Sequence, residues 1–222
     1  MIPRVIMHVG ASVDGRIDWG VSAESPYYEV IGSFHADLDL SGTGTMLAAP
    51  MPEDPQAVFG EVYDAWVGNP DRPMLAVVDS RGLIRNWGLL KKQAWWRAHI
   101  ALCSSATPEQ HLRYLEELGI PTVIAGDEKV DPRAALEELN RRFGVRVIRT
   151  DCGGTLNGVL LRDGLVSEVS LIVNPSLVGG TTPRTFFAAP DLASAEGVVP
   201  LKLLHVERMK EDFVWLRYEV CR

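Results

Sequence analysis

The chain has 222 residues, a formal net charge of −7, 46% hydrophobic residues and 23% charged ones. That balance supports a buried core and excludes a disordered chain, and the negative charge argues against broad electrostatic binding to nucleic acid or an anionic membrane. Cys103, Cys152 and Cys221 form no C-x-x-C pair, and five histidines are scattered without ligand spacing, so neither a disulfide framework nor a metal site is predicted. A reduced, cytoplasmic protein is the expectation, with no signal-peptide layout and no run near the roughly 20 apolar residues of a membrane helix.

Apolar runs predict strands at Val5–Val9, Asp37–Ser41, Met74–Asp79, Ile100–Cys103, Pro121–Ala125 and Val145–Asp151. Helical patterns lie between them. Ser25–His35 opens on a Ser-Pro cap signal, and Pro55–Val67 carries Val58, Phe59, Val62 and Trp66 at helical spacing. Pro108–Leu118 and Pro132–Phe143 begin with proline and close before glycine. After a predicted helix over Leu156–Arg162, Val166–Val173 alternates as a strand, Asn174–Pro190 is a Gly/Thr/Pro-rich loop, and Leu201–Arg208 with Phe213–Val220 reads as a closing hairpin. The expectation is one α/β domain over residues 1–222, with a mixed, mostly parallel sheet and an antiparallel C-terminal hairpin.

Two glycine-bearing turns each follow a strand and open a helix: Ser41-Gly42-Thr43-Gly44-Thr45 and Asp151-Cys152-Gly153-Gly154-Thr155-Leu156-Asn157. Glycine lets backbone N–H groups approach a phosphate, and a helix start adds donors and a favourable dipole, so the pair is a candidate pyrophosphate site. Neither turn matches G-x-G-x-x-G or a Walker A motif, and capping alone would explain either one. Cys152 beside the second turn has no partner histidine nearby and is read as structural.

Four blocks carry a family resemblance. Val9-Gly10-Ala11-Ser12-Val13-Asp14-Gly15-Arg16-Ile17, Ser41–Leu47, Val77-Val78-Asp79-Ser80-Arg81-Gly82 and Asp151–Gly180 resemble, in order, signatures of the reductase domain of bifunctional riboflavin deaminase-reductases. The resemblance implies a dihydrofolate reductase-like three-layer fold, NADPH as hydride donor, a (phospho)ribosylamino-pyrimidine as substrate and a homodimer. It places Gly10, Ala11, Gly44, Thr45, Ser80, Arg81, Gly153, Gly154, Thr155, Leu156 and Asn157 against the cofactor, with Ser80 and Arg81 as donors to the 2′-phosphate. Asp151 falls on the substrate side, where the family carries Glu; Asp14, read from its own position, is either a substrate contact or a turn residue before Gly15. No catalytic acid–base pair is implied, because hydride transfer is the cofactor's chemistry.

The chain also departs from that family. Between Ile17 and Asp71 there is no Lys or Arg but ten acidic residues, Asp18, Glu24, Glu29, Asp37, Asp39, Glu53, Asp54, Glu61, Asp64 and Asp71, where the family places the arginines that grip the sugar phosphate. The counted position of one such arginine is Ser33. Arg16 and Arg184 are candidate replacements, and the alternatives are a divergent reductase of another, unphosphorylated substrate or a non-catalytic nucleotide-binding protein. No H-x-E with P-C-x-x-C deaminase signature is present.

Overall fold

The computed structural model describes residues 1–19, 25–49, 52–61, 64, 67, 69–182 and 184–221. The chain is an α/β fold with a mixed, mostly parallel sheet and antiparallel strands at its C-terminal end. It divides into two compact units, Met1–Pro3 with Ala36–Ile148, and Arg4–His35 with Arg149–Arg222.

In the first unit β2 (Leu38–Gly42), β3 (Met74–Val78), β4 (His99–Cys103) and β5 (Thr122–Ile124) run parallel in the order β5-β4-β3-β2. Leu75, Ala76, Val77, Ile100, Ala101 and Leu102 are all buried, which is why these strands appear in the sequence as unbroken apolar runs rather than alternations. The helices of this unit include α1 (Thr43–Ala48), α2 (Pro55–Phe59), α3 (Trp87–Leu90), α4 (Glu109–Glu117) and α5 (Pro132–Phe143). α5 shows how its sequence sets its ends. The Asp131 carboxylate accepts from the Ala134 N–H at 3.0 Å, Pro132 pre-sets the first turn, Arg141 and Arg142 sit in the last, and Gly144 closes it at φ +69°. Met46, Leu75, Val77, Ile84, Trp87, Leu90, Ala101 and Leu115 pack into one core.

β6 (Val147–Thr150) carries the chain into the second unit. There β1 (Arg4–Ser12) pairs in parallel with β7 (Glu168–Asn174), from Ile6 opposite Glu168 to Ser12 opposite Asn174. β9 (Val214–Val220) runs antiparallel to β7, and β8 (Leu201–Arg208) antiparallel to β9, with a register shift between Leu203 and His205. α6 (Gly154–Arg162) precedes β7 and buries Leu160 and Leu161. Glu168 is 2% exposed at the head of β7 and is held by Arg4 on β1 at 2.5 Å and Arg217 on β9 at 2.6 Å, so one carboxylate ties three strands together.

Two helix expectations are corrected. Ser25–His35 is not one helix but two short 3₁₀ turns, Pro26–Tyr28 and Ile31–Phe34. Ser25 caps the first as its sequence suggests, but Gly32 and Ser33 weaken continuation, and His35 ends the second at φ +47°. The Pro55–Val67 expectation is broken at Gly60, which takes φ +52° after α2 ends at Phe59; Glu61, Asp64 and Val67 are helical again, and Val62 and Trp66 lie outside the described residues. The short α3 was not anticipated. Among the described residues no helix is long and apolar enough to cross a membrane, and no group of three or more metal-ligating side chains comes together.

Candidate active site

The predicted site residues lie at or just beyond the carboxyl ends of parallel strands in each unit. In the first unit, β2 runs into α1 through Gly42, and no side chain caps that helix. The Thr43 hydroxyl donates to the Val78 carbonyl at 2.7 Å, tying this turn to the end of β3. Gly44 is exposed, with open space where a Cβ would stand, and Thr45 is half-buried.

Asp79, buried just after β3, accepts the N–H groups of Leu83 at 2.8 Å and Ile84 at 2.9 Å, and so folds the Ser80-Arg81-Gly82 loop over itself. Beneath the loop lies the buried ring of His111, its Nε2 3.2 Å from Asp79. Arg85, which can only donate, contacts His111 Nδ1, so that nitrogen accepts and Nε2 carries the proton. Burial lowers the His111 pKa against the pull of Asp79, and Arg85 lowers it further, leaving a neutral ring at pH 7. Ser80 is already engaged: its Oγ accepts from Val130 N at 3.0 Å, and its carbonyl accepts from Thr107 Oγ1 at 2.8 Å. Arg81 projects from the loop, exposed to solvent.

In the second unit β1 brings Gly10 and Ala11 to its buried carboxyl half. Asp14 follows in the turn and serves the chain itself. It accepts from Ser12 Oγ at 2.5 Å, Val178 N at 3.1 Å and Gly179 N at 2.6 Å, clamping the loop after β7. These three donors, the Ser12 hydroxyl foremost, hold its pKa down at about 2. Arg16 is likewise consumed: its guanidinium donates to the carbonyl and hydroxyl of Thr182, both at 2.5 Å, and the residue is buried. Arg184 is exposed, 3.4 Å from Asp18.

Beyond β6, the buried Asn157 staples the second glycine turn. Its Nδ2 donates to the carbonyls of Cys152 and Phe186, each at 3.1 Å, while its Oδ1 accepts from Thr150 Oγ1 at 3.2 Å and Cys152 Sγ at 3.0 Å. Burial pushes the Cys152 thiol up to about 12, in keeping with a structural cysteine. The glycines of the turn differ. A Cβ on Gly154 would overlap the Thr185 carbonyl oxygen and stand 3.0 Å from Ala188 N, so its bareness accommodates this chain's own loop. One on Gly153 would meet only Ile17 Cδ1, at 3.7 Å. No side chain caps α6, whose first turn carries exposed Thr155 and half-buried Leu156.

Asp151 has a partner that sequence reasoning missed. The Tyr27 hydroxyl donates to Asp151 Oδ1 at 3.2 Å, and its ring passes 3.5 Å from where a Gly10 Cβ would be. The ring stacks on His8 at 4.3 Å between centroids. His8 Nε2 lies 3.1 Å from the Tyr27 carbonyl, which can only accept, so Nδ1 accepts from Ser170 Oγ at 3.0 Å; Ser170 in turn accepts from Trp215 Nε1 at 2.9 Å. Burial above all, with Arg149 adding to it, takes His8 down to about 3, so this relay is neutral across the physiological range. Burial, then Asp151, raises the Tyr27 pKa, keeping its hydroxyl a donor.

The RibD C-terminal domain model matches residues 3–215. The chain is 30% identical to a protein of Methanothermobacter thermautotrophicus named 2,5-diamino-6-ribosylamino-4(3H)-pyrimidinone 5′-phosphate reductase, over 96% of this chain and 97% of that one. It is 28% identical to the protein of the same name from Archaeoglobus fulgidus, over 96% of each. The fold is that of Acinetobacter baumannii RibD, with TM-score 0.74 at 18% identity; the chain is covered in full and spans 59% of that longer protein. The chain belongs to the RibD C-terminal domain family of pyrimidine reductases.

Proposed function

We propose that this chain reduces the ribosyl group of 2,5-diamino-6-ribosylamino-4(3H)-pyrimidinone 5′-phosphate to a ribityl chain, with NADPH as reductant and both units acting as one reductase domain in the cytoplasm. The observation that carries this is the end-to-end correspondence with two relatives so named. When bound, the nicotinamide supplies the hydride. The chain's own residues bind and orient. The uncapped start of α6 suits the pyrophosphate, with Gly153 leaving room for it and Gly154, Thr155 and Leu156 supplying N–H groups. Asn157 holds that turn in shape, Gly44 and Thr45 offer a second uncapped turn, and Gly10 and Ala11 give a flat strand for the nicotinamide. Asp151, oriented by Tyr27, faces substrate, and Asp14 positions the loop after β7.

The phosphate grip differs from the family's, since residues 17–71 hold no cation and Arg16 is spent on Thr182. The test compares kcat/KM for the phosphorylated substrate and its dephosphorylated form. A preference of about tenfold or more, the worth of one charge-assisted contact, fits this reading; equal values point instead to an unphosphorylated substrate.

Arg81 carries the choice of NADPH over NADH, because it is an exposed guanidinium on a loop that Asp79 and His111 fix from below. Arg81→Ala should weaken NADPH binding roughly ten- to a hundredfold while leaving NADH unchanged. Equal loss for both cofactors would exclude the 2′-phosphate role.

The exposed apolar side chains of β8 support a homodimer. Leu201, Leu203, Leu204 and Val206 are 46–60% exposed on a strand that pairs only with β9 among the described residues. An apolar edge of this kind requires cover. Light scattering should give twice the 24.4 kDa chain mass, and the chain mass alone would contradict the dimer.

A further inference from the structure

The loop that carries Arg81 rests on one side chain of α4. His111 is 0% exposed, and a Cβ on Gly82 would come within 2.7 Å of its Cγ, at a φ of +63° that already favours glycine. The loop backbone therefore lies directly on the imidazole, with no side chain between them. An apolar ring would fill the same space. What packing does not account for is the pair of polar contacts the imidazole makes, one to each end of the loop.

At the near end, Nε2 is 3.2 Å from Asp79 Oδ2, off the line of a good hydrogen bond but with the ring's proton on the side of the carboxylate. Asp79 is itself 0% exposed. Besides the N–H groups of Leu83 and Ile84 it receives the Thr43 hydroxyl at 3.3 Å, so one carboxylate steadies both the start of α1 and the Ser80–Gly82 loop. At the far end, His111 Nδ1 takes Arg85. The Arg85 carbonyl accepts the Tyr114 hydroxyl at 2.6 Å, and its guanidinium lies 5.9 Å from the centre of the Tyr114 ring. Two arginines thus stand four positions apart, and α4 draws Arg85 onto His111 and Tyr114 while Arg81 projects into solvent.

We propose that His111 is a positioning residue for coenzyme choice, holding the Ser80–Gly82 loop so that Arg81 is presented in one place to the 2′-phosphate of NADPH, an inference that rests on Arg81 meeting that phosphate. A loop ordered in advance spares the cost of ordering it on binding, and only the cofactor that uses Arg81 gains from this. Dissociation constants of NADPH and NADH, measured by fluorescence titration on the full chain, provide the test. His111→Phe keeps a ring under Gly82 and removes both polar contacts. It should lower the preference for NADPH over NADH roughly fivefold or more, the worth of one hydrogen bond, with NADH binding within about twofold of the parent. His111→Gln returns an N–H towards Asp79 and should recover most of the preference. Combining His111→Phe with Arg81→Ala separates this role from general loosening: the double variant should show the preference of Arg81→Ala alone, since His111 acts only through Arg81. If His111→Phe does not fold, His111→Asn, too short to reach Asp79, replaces it in both comparisons. An unchanged preference in the His111 variant, while Arg81→Ala still loses NADPH, overturns the inference and leaves the role of Arg81 standing. Parent-like NADPH binding by Arg81→Ala overturns both. Equal losses for the two cofactors, or effects that add in the double variant, reduce His111 to packing and overturn the inference as well.

Discussion

Gly154→Ala should destabilise the protein by about 2–3 kcal/mol and weaken NADPH binding by at least roughly tenfold. A single added methyl would overlap the Thr185 carbonyl oxygen, and the only relief is retreat of the backbone between Thr185 and Ala188. That segment is bound to the turn by the Ala188 N–H, which donates to the Gly154 carbonyl at 3.0 Å, and by Asn157, which donates to the Phe186 carbonyl. Retreat therefore loosens the start of α6 as well. Gly153→Ala is the control, since its Cβ has room and its φ of −75° suits any residue. It should stay within about 0.5 kcal/mol of the parent, so any loss of NADPH affinity there reports close approach of the cofactor. Urea unfolding together with NADPH titration on both variants checks this. Equal stability of the two would remove the packing explanation.

Glu168→Ala should cost about 3 kcal/mol, or roughly 6–12 °C in Tm for a chain of this size. The carboxylate is almost fully buried and answers two arginines from the flanking strands, so its removal leaves Arg217, with a side chain 25% exposed, facing a void with its charge unmet. Arg4 is half-exposed and can turn to water, which sets the loss near the lower end for a broken buried pair. Glu168→Gln retains shape and one acceptor and should lose less. A Tm within about 2 °C of the parent for the alanine variant, less than about 1 kcal/mol, would mean that the three-strand tie contributes little.

The parallel strands of the first unit were legible because burial on both faces leaves an unbroken apolar signature, while β7 showed as an alternation, and each appears within a few residues of its expected place. β8 was legible by pairing logic rather than by burial, since its apolar side chains are exposed. The stretch from Ser25 to His35 misled because its cap signal is real but serves a single 3₁₀ turn; nothing local reveals that His8 holds its Tyr27 and Phe34 by ring contacts. The glycine turns were found from composition, but the reason for Gly154 was not, because the atoms that exclude its side chain lie some thirty residues downstream. Tyr27 escaped notice for the same reason, its partner Asp151 being 124 positions away. Asp14 and Arg16 carried charge in a suggestive motif, yet they close loops of their own chain. A motif gives the residue type, while the partner that uses it is set by the fold.

The most direct measurement supplies the chain with NADPH deuterated at the transferring C4 position and with the diaminopyrimidinone ribosyl phosphate, then examines the product by mass spectrometry and NMR. The account predicts stoichiometric NADPH oxidation and one deuterium at C1′ of a newly formed ribityl chain. Absence of oxidation by protein that binds NADPH, or deuterium appearing elsewhere in the product, would contradict it.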